Sequence, residues 1–151
     1  MMGKSQQQGH LYRYFNGRLV SLDVDKLLPA FDPFHSGIID DKGTVPLRFP
    51  GFENNYDLRL GADAVARRVT FGLTIRLPID APGFWFCIYC LMREDFLVLV
   101  VPMENGFLYA NRSTPAHVPK GESDFSFSSF LTYVDSASEL VSMFTNQQPG
   151  G

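Results

Sequence analysis

The stretch Phe84-Trp85-Phe86-Cys87-Ile88-Tyr89-Cys90-Leu91-Met92 decides how the rest of the chain is read. It follows Val69-Thr70-Phe71-Gly72-Leu73-Thr74-Ile75-Arg76-Leu77 and precedes Phe96-Leu97-Val98-Leu99-Val100-Val101. The first of these three runs alternates, with Val69, Phe71, Leu73, Ile75 and Leu77 on one side, which is the period of a strand with one wet face. Residues 84–92 and 96–101 are apolar on both sides, which predicts mid-sheet strands covered on each face. The linkers Pro78 to Gly83 and Arg93-Glu94-Asp95 read as reversals. Asn105-Gly106 offers a further turn into Phe107-Leu108-Tyr109, so the middle of the chain predicts a four-stranded antiparallel meander.

Outward from that centre, Leu11 to Phe15 and Arg18 to Leu22 flank Asn16-Gly17, a strong short hairpin signal because a type I′ turn needs positive φ at both central residues. Asp23 is placed to start one helical turn through Val24 to Leu28, limited by Pro29. Between Pro29 and Tyr56 the pattern lapses into an irregular, aromatic-rich segment with one short strand conceivable at Thr44 to Phe49. Leu58 to Arg68 fits a short helix after Gly61 or a strand edge. Phe125 to Ser128 alternates as a strand that could run on to Val134. Ser136 with Glu139 forms a capping box, and Ala137, Leu140, Val141 and Phe144 carry a helical apolar stripe. The expected fold is α+β: an antiparallel meander of about five to seven strands with an N-terminal hairpin and a C-terminal packing helix, with an all-β barrel or sandwich as the alternative. A single globular domain is expected over residues 11–145, with a disordered head at 1–10 and a flexible tail at 146–151.

Composition narrows the function classes. A formal charge of −3 with scattered basic residues argues against a sequence-independent nucleic-acid binder. The longest apolar run falls far short of the roughly 20 residues that span a bilayer, and the first ten residues lack the basic flank and apolar core of a secretory signal. A cytoplasmic protein with no nucleic-acid or membrane partner is the expectation.

Chemistry-bearing candidates are few. Cys87 and Cys90 form a C-x-x-C, but on a strand these positions point to opposite faces, and no further ligands at zinc spacing accompany them. Inert thiols are expected, with no metal site and no cofactor. His35 with Asp32, near Asp40 and Asp41, is the one cluster that could serve a small hydrolase. Tyr56-Asp57-Leu58 followed by Leu73-Thr74-Ile75-Arg76-Leu77-Pro78 resembles the opening of the trimeric dUTPase pattern. No Arg-Ser-Gly follows at Leu91-Met92-Arg93, and neither a second acidic motif nor a glycine-rich tail is present, so membership is not assigned.

Three function classes remain. A non-enzymatic protein-binding module, of inhibitor or immunity type, is favoured, engaging a basic partner protein through Phe34, Phe49, Phe52 and Tyr56 as anchors and Asp40, Asp41 and Glu53 as steering charges. The counter-reading packs those aromatics beneath the segment as a satellite core. A His/Asp hydrolase and a homo-oligomeric assembly subunit, such as a homodimer built on the Val69 to Leu77 strand or the Ser136 helix, are the alternatives.

Overall fold

A computed structural model describes residues 7–53, 56–119 and 130–145. Its centre is β1 (Gln7–Phe15), which pairs antiparallel with three strands: β2 (Arg18–Val20) through the hairpin, β7 (Leu73–Leu77) on one side and β8 (Leu97–Val100) on the other. Asn16 and Gly17 at the hairpin tip have φ of 52° and 80°, as the Asn-Gly reading requires. β1 begins at Gln7, inside the stretch expected as a loose head.

Among the described residues the main sheet has eight strands and is not closed into a barrel. From β7 it continues through β5 (Tyr56–Arg59) to the edge strand β4 (Thr44–Leu47), and from β8 through β9 (Phe107–Tyr109) to β10 (Leu131–Tyr133). The pairing is antiparallel except that β10 runs parallel to β9. The protein is thus α+β with a mostly antiparallel sheet, but its strand order is not that of a meander. β3 (Leu22–Asp23) and β6 (Val69–Thr70) form a separate two-stranded pair.

The largest correction concerns residues 84–92, which are not a strand. They lie in α3 (Pro82–Glu94), a helix of 13 residues. Pro82 sits at its first turn, where a fixed φ and a missing N–H cost nothing. Phe84, Trp85, Ile88, Leu91 and Met92 are buried at helical spacing, whereas Phe86 and Cys90 point outward. The helix stops at Asp95, whose backbone is extended and whose Oδ1 accepts the Phe96 N–H at 2.7 Å. Arg93 and Glu94, expected as part of a reversal, form the last helical turn.

A second correction is that residues 69–77 do not form one continuous strand. The buried Thr70 hydroxyl donates to the Leu60 carbonyl at 2.7 Å and accepts the Gly72 N–H at 3.3 Å, which breaks the run between β6 and β7 and turns Phe71, expected inward, out to 47% exposure.

The register sorts the sheet's faces. Leu11, Leu73, Ile75, Leu97 and Leu99 lie on one face and join Phe84, Trp85, Ile88 and Met92 of α3 in one core. Each such fully buried side chain adds roughly 1.5–3 kcal/mol. The opposite face carries His10, Tyr12, Thr74 and Arg76, all partly exposed. Among the described residues three shorter α-helices join α3: α1 (Val24–Leu27), continued by a 3-10 turn to Phe31, then α2 (Ala62–Arg67), and α4 (Ala137–Thr145). α4 is the expected C-terminal packing helix, and the Glu139 N–H donates to Ser136 Oγ at 3.1 Å, half of the expected capping box. Residues 125–129 of the expected late strand and the 146–151 tail lie outside the described residues.

Candidate functional site

The irregular segment after Phe31 arches beside the sheet edge. Edge strand β4 uses Gly43, Val45 and Leu47 toward β5, leaving Thr44, Pro46 and Arg48 facing outward. At one end the Arg48 N–H donates to the Phe34 carbonyl at 2.8 Å. At the other, Asp40 N–H donates to the Thr44 carbonyl at 3.0 Å, while Asp40 Oδ1 accepts the N–H groups of Lys42 and Thr44, each at 2.9 Å. Between these ties lies Pro46, which has no N–H to offer an edge partner. Residues 35–39 lie between these two ties. A groove of about 660 Å³ is lined by both sides of this arrangement, chiefly Pro33, Phe34, Pro46, Leu47, Pro50 and Tyr56. Its ionisable lining is His35, Arg48 and Asp57.

The expected anchors divide. Phe49 and Tyr56 are interior, at 3% and 6% exposure, and belong to the core. Phe49 meets Phe34 at 4.4 Å and packs edge-on to Tyr56 at 5.7 Å and to Phe84 at 6.1 Å. The Tyr56 hydroxyl donates to Asp80. Phe34 and Phe52 are partly buried against the same core. These rings belong to or pack against the main core and hold the segment to it. Asp40, Asp41 and Glu53 are exposed. Bonds from the backbone of Thr44 and Lys42 hold the Asp40 carboxyl below its ordinary range.

Ile38 is the residue that sequence reading passed over. It sits on the arch between the two ties with 64% of its surface exposed, more than any other large apolar side chain among the described residues. The signal was present: an aliphatic pair, Ile38-Ile39, between Gly37 and two aspartates, of which Ile39 packs on the core.

The His/Asp cluster is only partly assembled. His35 Nδ1 accepts the Gly37 N–H at 2.9 Å, and its buried Nε2 lies 2.6 Å from Asp32 Oδ1 without a well-aligned hydrogen bond. Asp40 is committed to its turn. Across the groove, Asp57 Oδ2 accepts from Arg76 at 2.8 Å, with Arg59 at 3.9 Å from Oδ1.

The two cysteines lie three apart on α3, not on opposite faces of a strand. Cys87 is buried, Cys90 is exposed, and both are free thiols. Burial, helped by the neighbouring Cys90, pushes the Cys87 thiol up to about 11. Among the described residues no group of three His, Cys, Asp or Glu side chains converges to hold a metal ion, and no helix is long and apolar enough to cross a membrane.

Comparison with protein-family models, with curated proteins and with solved structures gave no match.

Proposed function

We propose that the protein acts by binding another protein, as an inhibitor or immunity-type module, and not by catalysis. The observation that carries this reading is Ile38, exposed on an arch that is tied to β4 at both ends. A loop already fixed in place loses little freedom on docking, and an apolar side chain entering a partner's pocket concentrates binding energy. Asp40 and Asp41 follow Ile38 closely, and Glu53 lies exposed after the same segment, which suits a partner whose pocket has a basic rim. Supporting the non-catalytic half of the reading, both ring nitrogens of His35 face groups of its own loop, so neither is presented to a substrate as a general base.

A photoreactive residue placed at position 38 of the full chain tests this in native lysate, with Phe86, another exposed apolar residue, as the control position. The expected result is one discrete adduct at 38 that weakens in an Asp41→Lys background and is missing at 86. No adduct at 38, or equal adducts at both positions, overturns the proposal. An adduct of twice the chain mass assigns the arch to self-association instead.

A further inference from the structure

His117 ties the loop after β9 to the tip of the β1–β2 hairpin. Its ring packs nearly parallel to two phenyl rings, with Phe15 at 4.9 Å and Phe96 at 4.0 Å between centroids and planes 12° and 18° from parallel, and those two rings stack on each other at 6.2 Å. The Asn16 N–H donates to His117 Nδ1 at 3.1 Å, and the Gly17 N–H donates to the His117 carbonyl at 2.8 Å. An imidazole nitrogen accepts only while it carries no proton, so this geometry assigns the neutral ring with its proton on Nε2. Adding a proton places an N–H on Nδ1, and two donors then face each other across the same gap.

We propose that His117 is a proton-operated latch on the hairpin tip. Neutral, it clasps Asn16; protonated, it releases that amide while its ring stays against Phe15 and Phe96, whose ring faces attract a cation. The proton moves from solvent to Nδ1 and no other bond changes. The ionisable groups on the packed elements are His10, Tyr12, Arg13, Tyr14 and Arg18 on the hairpin, Arg93, Glu94 and Asp95 ahead of Phe96, and Arg112 on the loop itself. Arg13 is paired with Asp95 at 2.8 Å, and Arg112 lies over Tyr133 at 4.3 Å. Among the described residues the hydrogen bond to the His117 ring comes from the Asn16 amide. Release loosens a tip that already presents Phe15 at 44% and Leu19 at 46% exposure. Acidification therefore remodels a second apolar surface, remote in sequence from the arch.

Amide exchange and imidazole nitrogen NMR on the intact protein test the latch, at about pH 8 and about pH 5, which bracket imidazole titration. Protection of the Asn16 amide, corrected for the intrinsic rate, should fall roughly tenfold on acidification, in step with conversion of Nδ1 from acceptor to N–H. His117→Asn, whose amide oxygen can accept without titrating, should keep Asn16 protected at both values. His117→Phe, which keeps the stack but has no acceptor, should leave it unprotected at both. Equal protection in the wild type at the two pH values, or wild-type pH dependence surviving in His117→Asn, overturns the proposal.

Discussion

The Phe144 ring lies flat on the indole of Trp85, with centroids 4.1 Å apart and planes 14° from parallel. Trp85 is wholly buried, and its Nε1 donates to the Ile79 carbonyl at 3.0 Å, so one side chain joins α3, the linker before it and α4. The stack is the main aromatic contact by which the C-terminal helix is held to the body of the fold.

Phe144→Ala should therefore cost about 1–3 kcal/mol, below the usual loss for a fully buried Phe because this ring is only partly covered. Trp85 is the single tryptophan, so its emission reports the event directly. Denaturant unfolding should show the lower midpoint, and native-state emission should move to the red as the indole loses its cover. Unchanged emission would mean that α4 docks without this stack.

The two thiols should react very differently. Exposed Cys90 should be labelled readily near neutral pH, whereas Cys87 should resist until the pH approaches about 11, where its thiolate forms. The sign for stability follows from the raised value. The unfolded chain loses this proton first, so the contribution is whole below the unfolded thiol pKa and is lost as pH rises toward the folded one. Stability should decline through that alkaline window, and Cys87→Ala should flatten the decline. Mass spectrometry of alkylated peptides, together with unfolding curves across the window, reads both effects.

The strand reading of residues 84–92 fails for a physical reason. A run of nine apolar residues satisfies both periods, and only length and boundary chemistry can separate a buried strand from a buried helix. Both were available: Pro82 stands at a first-turn position, and Arg93-Glu94 extend the run beyond strand length. The hairpin at Asn16-Gly17 and the Ser136 cap were legible because each rests on a local requirement, positive φ in one case and an orphan N–H in the other. The place of β1 between β7 and β8 was not legible, since no local pattern records which distant strand a strand pairs with. The same limit applied to the arch. Composition marks residues 29–56 as aromatic and acidic, but whether Phe49 faces water depends on where Phe84 lies, and a strand reading of residues 84–92 puts Phe84 in the wrong element.

Two glycines with the same backbone hand should respond differently to alanine. Gly17 and Gly43 have φ of 80° and 84°. A Cβ on Gly17 meets nothing within 4 Å, so Gly17→Ala should lose only the conformational preference, about 1 kcal/mol. A Cβ on Gly43 would overlap the Gly61 backbone, just where the Leu60 N–H donates to the Gly43 carbonyl at 2.7 Å. Gly43→Ala should therefore cost several-fold more and pull β4 away from β5. Thermal melts of the two variants side by side are the check, and equal losses would contradict the close approach of these backbones.

Asp40 should govern the arch through its turn and not through its charge alone. Its carboxylate accepts two backbone N–H groups, and those bonds depress its pKa, so the ordering they provide is present above the unfolded carboxyl pKa and is lost as pH falls through the lower folded value. Asp40→Ala should free the Lys42 and Thr44 amides, raising their exchange at neutral pH with little change in global melting, because the residue is fully exposed. Asp40→Asn keeps an acceptor and should restore much of that protection while removing its acid dependence. If Ile38 docks as proposed, Asp40→Ala should lower the cross-linking yield at position 38, and Asp40→Asn should recover it. Asp41→Lys, which leaves the turn intact, should instead weaken capture chiefly at low salt, where steering acts most strongly. Loss of capture in Asp41→Lys that persists unchanged at high salt would place Asp41 inside the contact and not on its rim.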